Sequence, residues 1–268
     1  MISPLIFIFG LIVGVLGSML GIGGGVLIIP VLTSFFGIPI KTAIGASIIS
    51  VIATSSAAGA VYVERGLVHT RLGMTLEIAT TLGAMAGGIT AILLAPNLLA
   101  GIFGAALVYV VYSMGRLPKE ETDLKPTGLL DTSFVNPYNG ETVTYGVRNL
   151  PVGLGASFFA GNISGLLGIG GGVVKVPIMS VLMGLPLRAA IGTSNFMIGI
   201  TAATSAVIYY QHGYIDPSIA IPTALGVLIG AQVGTRVGGK VKTHRLKQIF
   251  QWLLALFAVM MFYKAFMG

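Results

Sequence analysis

Two stretches of the sequence decide the fold, Gly21-Ile-Gly-Gly-Gly-Val26 and Gly168-Ile-Gly-Gly-Gly-Val173. They lie 147 residues apart, and the same offset also aligns Pro30 with Pro177. Across residues 20–47, 14 of 28 positions are identical to their partners without a gap. A register that survives over several segments indicates an internal duplication, which is typical of many transporter folds.

The composition is that of a membrane protein. Hydrophobic residues make up 55% of the 268 and charged residues only 9%, whereas a soluble domain carries about 25% charged residues. Eight apolar segments are separated by links that hold Pro, Gly and charge, at about 5–35, 42–62, 72–94, 98–115, 149–183, 189–210, 218–235 and 248–266. The pattern predicts an all-α integral membrane protein, a polytopic helical bundle in contact with the lipid bilayer.

Several other classes of protein are disfavoured. The net charge of +7 comes from basic residues in short links rather than on one face of a soluble fold, so no nucleic acid partner is expected. With no Cys and three scattered His, no metal site is expected. A glycine run without a preceding strand and a downstream Lys or acidic partner does not predict a nucleotide site. We expect no cofactor and no enzyme activity.

The first and fifth segments are too long for one upright crossing. About 30 residues would form a helix of about 45 Å, against a hydrocarbon core of about 30 Å, and glycine triplets interrupt both segments at 23–25 and 170–172. We expect each to consist of two half-helices that meet at the glycines and either return or cross twice.

The distribution of basic residues favours this interpretation. With both segments broken, the Lys and Arg of the links divide twelve to two between the two sides of the membrane, and the smaller group is Lys41 and Lys264. With unbroken segments the same count of Lys and Arg is seven on each side, which does not indicate an orientation in the membrane. The prediction is therefore two inverted repeats, each with a Gly-broken first segment, over residues 1–115 and 149–268. Between them lies a polar cytoplasmic linker, 116–148, in which a turn at 138–140 precedes a short strand and suggests a small hairpin.

Non-helical backbone inside a membrane is tolerated only beside protein or a water-filled cavity. The two glycine breaks therefore predict one central cavity, where the positive ends of two half-helices favour a small anionic substrate. Close helix packing is the alternative role for glycines in membranes, and we prefer it for Gly14, Gly17, Gly83, Gly87, Gly230 and Gly234. The predicted substrate-binding residues are Gly23, Gly24, Gly25, Ser47, Gly170, Gly171, Gly172, Lys175, Thr193, Ser194 and Asn195.

Some of these side chains have alternative roles. Thr193, Ser194 and Asn195 either complete an anion shell or cap a helix. Lys175 either balances the charge of the anion or extends toward the membrane interface. Glu77 is the only acid well inside a segment, and it either carries a proton or pairs with a basic link.

The glycine motif with Pro30, its copy Gly168-Ile-Gly-Gly-Gly-Val-Val-Lys-Val-Pro177, and Gly192-Thr-Ser-Asn195 together resemble the sulfite exporter TauE/SafE family over nearly the whole chain. The resemblance implies a multi-pass permease of the inner membrane that exports sulfite or a small organosulfur anion such as a sulfonate. Positions 28 and 48 hold Ile where their repeat partners are Lys175 and Asn195, so we expect an asymmetric site.

Sparse polar groups and two packed halves favour a secondary transporter. An anion channel, or a permease for another small anion, is the alternative. The oligomeric state is open, and a homodimer is one candidate.

Overall fold

The computed structural model describes residues 2–20, 24–115, 130–135, 140–237 and 243–267. This part of the chain contains ten helices, five before the linker and five after it. The first five are α1 (Ile2–Leu20), α2 (Gly25–Ser34), α3 (Ile40–Glu64), α4 (Thr70–Leu93) and α5 (Pro96–Gly115). The second five are α6 (Leu150–Leu167), α7 (Gly172–Pro177), α8 (Leu187–Gln211), α9 (Pro217–Val237) and α10 (Thr243–Met267).

Six of these helices are long and apolar enough to cross a membrane, namely α3, α4, α5, α6, α8 and α9. Large apolar side chains also remain exposed along the helices, for example Leu93, Phe159, Tyr210 and Trp252. Because water penalises such apolar surface, it suits contact with lipid. The chain is therefore an all-α, multi-pass membrane protein, as the sequence predicts.

Both long apolar segments are broken at their glycines. α1 ends at Leu20 and α2 begins at Gly25, while α6 ends at Leu167 and α7 begins at Gly172. Gly24, Gly168, Gly170 and Gly171 all adopt positive φ angles, between 64° and 75°, a conformation that only glycine takes without strain. The predicted breaks are confirmed at 24–25 and 170–172.

The two parts of each broken segment differ in length, which the sequence analysis did not predict. α1 and α6 have 19 and 18 residues, so each spans about 27–29 Å, close to the thickness of the hydrocarbon core. α2 has only 10 residues, and α7 is continued by the π-helical turn Ile178–Leu182 to a similar length. Only the second part of each segment is a half-helix.

The helices pack in a pattern that follows the sequence repeat. α1 packs against α9, and its repeat partner α6 packs in the same way against α4, the partner of α9. Small residues permit the close approach: a Cβ added at Gly14 would lie 2.3 Å from the Val227 carbonyl oxygen, and one at Gly161 would lie 2.0 Å from that of Thr80. The packing role predicted for Gly14, Gly83, Gly87, Gly230 and Gly234 is confirmed. The inversion of one half relative to the other stays a prediction.

The centre of the bundle is formed by α3 and α8, which pack against each other and against the half-helices of their own repeats. In α2, every residue from Gly25 to Thr33 is buried, and in α7 every residue from Gly172 to Val176 is buried. The half-helices are therefore surrounded by protein. This environment is the one in which a membrane tolerates broken backbone.

Part of the linker folds as an antiparallel hairpin of β1 (Thr132–Val135) and β2 (Thr142–Tyr145). The predicted strand is confirmed, whereas Tyr138 and Asn139 of the predicted turn lie outside the described residues. Phe134 and Tyr145 are buried in a cluster with apolar residues of the bundle, and the His69 Nε2 atom lies 2.8 Å from the Leu130 carbonyl oxygen. The helices thus supply the support that an isolated hairpin lacks in water.

Candidate functional site

The structure brings the two glycine breaks together. Ser47 on α3 donates a hydrogen bond of 2.8 Å to the Gly168 carbonyl oxygen at the end of α6. A Cβ added at Gly25 would lie 2.7 Å from that same oxygen. Gly24, Gly25, Ser47 and the loop 168–171 therefore form one buried cluster, while Gly23 lies outside the described residues.

Helix ends supply the polar groups of this cluster. The backbone N–H groups of Val174 and Lys175 bond to the Gly171 carbonyl, and that of Leu27 bonds to the Gly24 carbonyl. In any α-helix the first N–H groups lack an intrahelical acceptor, so Gly25 and Gly172 begin their helices with donors that need a partner. Such donors in a buried position favour an anion.

Ser194 and Asn195 carry the polar atoms that lack a partner. Both residues are buried on α8, and within the described ranges the Ser194 Oγ and the Asn195 Oδ1 have no hydrogen-bond partner. The Asn195 Nδ2 is occupied, because it donates to the Ile191 carbonyl over 2.9 Å. A buried polar atom left without a partner costs about 1–3 kcal/mol, and a bound ligand would remove that cost.

Thr193 has a structural contact that the sequence analysis did not predict. Its Oγ1 accepts a hydrogen bond of 2.9 Å from the backbone N–H of His69, at the start of α4. The Ser55 hydroxyl likewise donates to the backbone carbonyl of Asn195. These bonds fix the first turns of α8 against α3 and α4, and a binding role for Thr193, Ser194 and Asn195 stays a prediction.

Lys175 forms a buried ion pair with Glu77 of α4, with the Nζ atom 3.3 Å from the Oε2 atom. Thr201 of α8 joins the two charges, since its Oγ1 accepts from Lys175 Nζ at 2.8 Å and donates to Glu77 Oε1 at 2.6 Å. Lys175 and Glu77 are 2% and 5% exposed. The triad of Lys175, Glu77 and Thr201 ties three helices together in a buried position.

The triad corrects one part of the sequence analysis. Glu77 pairs with a charge inside the membrane, not with a basic link, and Lys175 does not extend to the interface. The rule that intramembrane charges pair with one another could have identified the pair, because Glu77 and Lys175 are isolated charges within apolar segments. Thr201 offered no signal, since hydroxyl residues are common along α8.

Chemically, the polar groups described above include hydrogen-bond donors of the kind that bind an anion. The ion pair has no net charge, but two of the three Nζ hydrogens of Lys175 are used, which leaves one donor. The Ser194 hydroxyl and the helix ends add further donors. Within the described residues, no three His, Asp or Glu side chains come together as metal ligands.

Comparison with known proteins supports a membrane transporter. A relative named "Probable membrane transporter protein YunE" from Bacillus subtilis is 27% identical over 97% of each chain. A probable membrane transporter protein of Methanocaldococcus jannaschii is 26% identical over 97% of this chain and 96% of the relative. One from Xylella fastidiosa strain 9a5c is 26% identical over 96% and 93%.

No solved structure matches the chain at a significant level. The family model described as sulfite exporter TauE/SafE matches residues 6–261, a range that contains all ten helices in whole or in part. The broken helices and the buried ion pair described above therefore lie within the residues that match the family model. This chain belongs to the sulfite exporter TauE/SafE family of membrane transporters.

Proposed function

We propose that this transporter is a secondary carrier that exports sulfite or a small organosulfur anion, such as a sulfonate, across the inner membrane. One observation carries the proposal: the breaks of the two halves contact each other through Gly25, Ser47 and Gly168. Broken helices that meet inside the membrane are typical of carrier binding sites. The family description names sulfite, and the site chemistry suits any compact anion.

The anion would bind between the breaks. Backbone N–H groups of Gly23 to Gly25 and Gly170 to Gly172 would be donors, with Ser47, Thr193, Ser194 and Asn195 as side-chain contacts. Helix ends contribute about 0.3–1 kcal/mol each at exposed sites and up to about 2 kcal/mol when partly buried. These contributions are modest compared with the cost of dehydrating an anion. We therefore assign the largest single contribution to anion binding to the Lys175 ammonium group.

The Glu77 carboxylate limits what Lys175 can contribute. At 3.3 Å from the Nζ atom, it cancels most of the field that an anion would feel beyond contact distance. The anion would therefore gain from Lys175 chiefly through the remaining N–H donor, or through movement of Lys175 away from Glu77. No catalytic step is assigned to the site, and a homodimer stays a prediction.

Flux measurements in proteoliposomes test the transport class. We expect sulfite flux that saturates with concentration at rates typical of a carrier. Single-channel currents would contradict the carrier and support the anion channel, which is the alternative. A panel of sulfite, sulfate and short sulfonates in the same vesicles would identify the substrate.

Binding titrations test the part played by Lys175. Lys175→Ala should weaken sulfite binding at least tenfold. Lys247→Ala, near the start of α10, should leave affinity within about twofold, because Lys247 is not one of the residues of the proposed site. Lys175→Ala also leaves the Glu77 carboxylate without its partner. The charge-balanced variant Lys175→Ile with Glu77→Ala therefore serves as the matched comparison. Parental affinity in both Lys175 variants would exclude the proposed role.

A further inference from the structure

A cavity of about 300 Å³ lies at the opposite end of α5 from the linker. Its walls come from the first residues of α3 and α5, from Tyr214 in the link between α8 and α9, and from Lys264 near the end of α10. Four separate parts of the chain thus converge on one space. The cavity is distinct from the glycine breaks, because none of the residues at 24–25 or 168–172 lines it.

Two lysines line this cavity, and the contacts that the structure describes for them are with carbonyl groups and an aromatic ring. Lys41 donates a hydrogen bond of 2.7 Å to the Ile92 carbonyl, and its Nζ lies 5.5 Å from the centre of the Tyr214 ring. Lys264 donates to the Thr33 carbonyl over 3.0 Å. Among the residues that the structure describes, no carboxylate forms an ion pair with either lysine. No described carboxylate therefore offsets the charge of either lysine, and each has N–H donors that these contacts do not use.

The acidic residue in the link between α8 and α9, Asp216, has its contacts elsewhere. Asp216 follows Tyr214 closely in the chain, but its Oδ1 accepts from the backbone N–H and the hydroxyl of Ser218, and Asp216 does not line the cavity. The α3 and α5 helices have 25 and 20 residues, and both begin at this cavity. Their positive ends add to the charge of the two lysines.

Membrane topology does not account for the position of these lysines. By the charge division above, Lys41 and Lys264 are the two basic residues on the side that the positive-inside rule keeps poor in basic residues. Had they no role, they would be expected at unrelated places on that side. The structure instead places both at one cavity.

We propose that this cavity is a second anion site, which binds a compact oxyanion such as sulfate, sulfite or the headgroup of a short sulfonate. Lys41 and Lys264 hold the anion from two sides, and Asn97 at the start of α5 borders it. During transport, the cavity is a binding site at the outer end of the pathway. Only this role in transport rests on the proposed function. Binding of the oxyanion itself does not.

The lack of cysteine in the parent chain permits a direct measurement of charge in the cavity. Asn97 is exposed there, so Asn97→Cys would introduce a single reactive thiol. In detergent-purified protein at low salt, a methanethiosulfonate reagent that carries a sulfonate should modify this thiol roughly tenfold faster than one that carries a trimethylammonium group, because two nearby positive charges attract the former and repel the latter. Millimolar sulfate should slow the reaction.

Matched variants identify the source of the preference. Adding Lys41→Gln and Lys264→Gln to Asn97→Cys should abolish both the preference and the protection by sulfate. Lys41→Arg with Lys264→Arg should preserve them, as should Arg236→Ala, since Arg236 lies exposed in the last turn of α9. If Asn97→Cys folds poorly, the neighbouring exposed position permits the same experiment as Pro96→Cys.

The results separate this site from the proposed function. Faster modification by the cationic reagent, or a reaction that sulfate does not slow, would overturn the second site even if sulfite flux is normal. Anionic preference with sulfate protection that both depend on the two lysines would establish the site, and it would do so even if the vesicles showed no sulfite transport.

Discussion

The two glycine breaks share a backbone and differ in their side chains. Gly25 and Gly172 are repeat partners, and each begins a half-helix. Three residues further on, the first half holds the buried Ile28 and the second holds Lys175. Glu77, which neutralises Lys175, corresponds in the other half to Ala224. The duplication has thus preserved the shape of the break, while the charges occur once.

Corresponding hydroxyl groups of the two halves also differ in the hydrogen bonds that they form. Thr54 bonds to the Ser50 carbonyl of its own helix, whereas its partner Thr201 bridges the ion pair. The Ser47 hydroxyl donates to the Gly168 carbonyl, but the hydroxyl of its partner Ser194 has no hydrogen bond with any described residue. The first half therefore uses its polar groups to hold the structure together. The second half has the buried lysine and an open donor, which favours it as the side that contacts the anion.

The largest expected effect comes from breaking the ion pair. Glu77→Ala alone leaves a buried ammonium group without its partner and should lower the free energy of unfolding by about 3–5 kcal/mol. Adding Lys175→Ile then gives each of the two positions the residue type of its repeat partner, Ala224 for Glu77 and Ile28 for Lys175, and should restore much of that loss. Chemical unfolding of the three proteins in detergent micelles would measure both differences. A double variant that is no more stable than Glu77→Ala alone would contradict a direct interaction of the pair.

A smaller loss is expected where the two breaks touch. Gly25→Ala would place a Cβ 2.7 Å from both the Gly168 carbonyl oxygen and the Ser47 Oγ, and a backbone oxygen cannot move aside easily. We expect a loss of about 1–3 kcal/mol from this overpacking. Gly155→Ala is the matched control, because a Cβ on that residue of α6 meets nothing within 4 Å. It should be neutral or stabilising by up to about 1 kcal/mol.

Much of this comparison could be predicted from the sequence. The offset of 147 residues identifies the repeat partners, and the excess length of two segments together with their glycines predicts where the helices break. These predictions succeed because each depends on local chain properties, namely the thickness of a membrane and the conformational freedom of glycine.

The contacts between the halves could not be predicted in the same way. Lys175 and Glu77 are 98 residues apart, and the pairing follows from how α4, α7 and α8 pack rather than from any periodicity. The unequal length of the broken parts was also missed, because hydropathy locates an apolar segment without fixing where α1 ends. Thr193 looked equivalent to its neighbours, yet its hydroxyl is occupied by the His69 backbone.

The smallest effect on stability is expected at the repeat partners Ser47 and Ser194. Ser47→Ala removes a buried hydrogen bond to Gly168 and leaves that carbonyl with one acceptor site unused, so the free energy of unfolding should fall by about 1 kcal/mol. Ser194→Ala removes a hydroxyl that has no partner among the described residues and should leave stability unchanged or slightly raised. If Ser194 donates to the anion, the same substitution should weaken sulfite binding roughly ten- to a hundredfold, since one hydrogen bond to a charged group contributes about 1.5–3 kcal/mol. Unfolding and sulfite titration of both variants would test this. We expect Ser47→Ala to have the larger effect on stability and Ser194→Ala the larger effect on sulfite affinity. Equal changes in Ser47→Ala and Ser194→Ala would mean that the halves contribute alike and that the anion does not contact Ser194 in preference to its repeat partner.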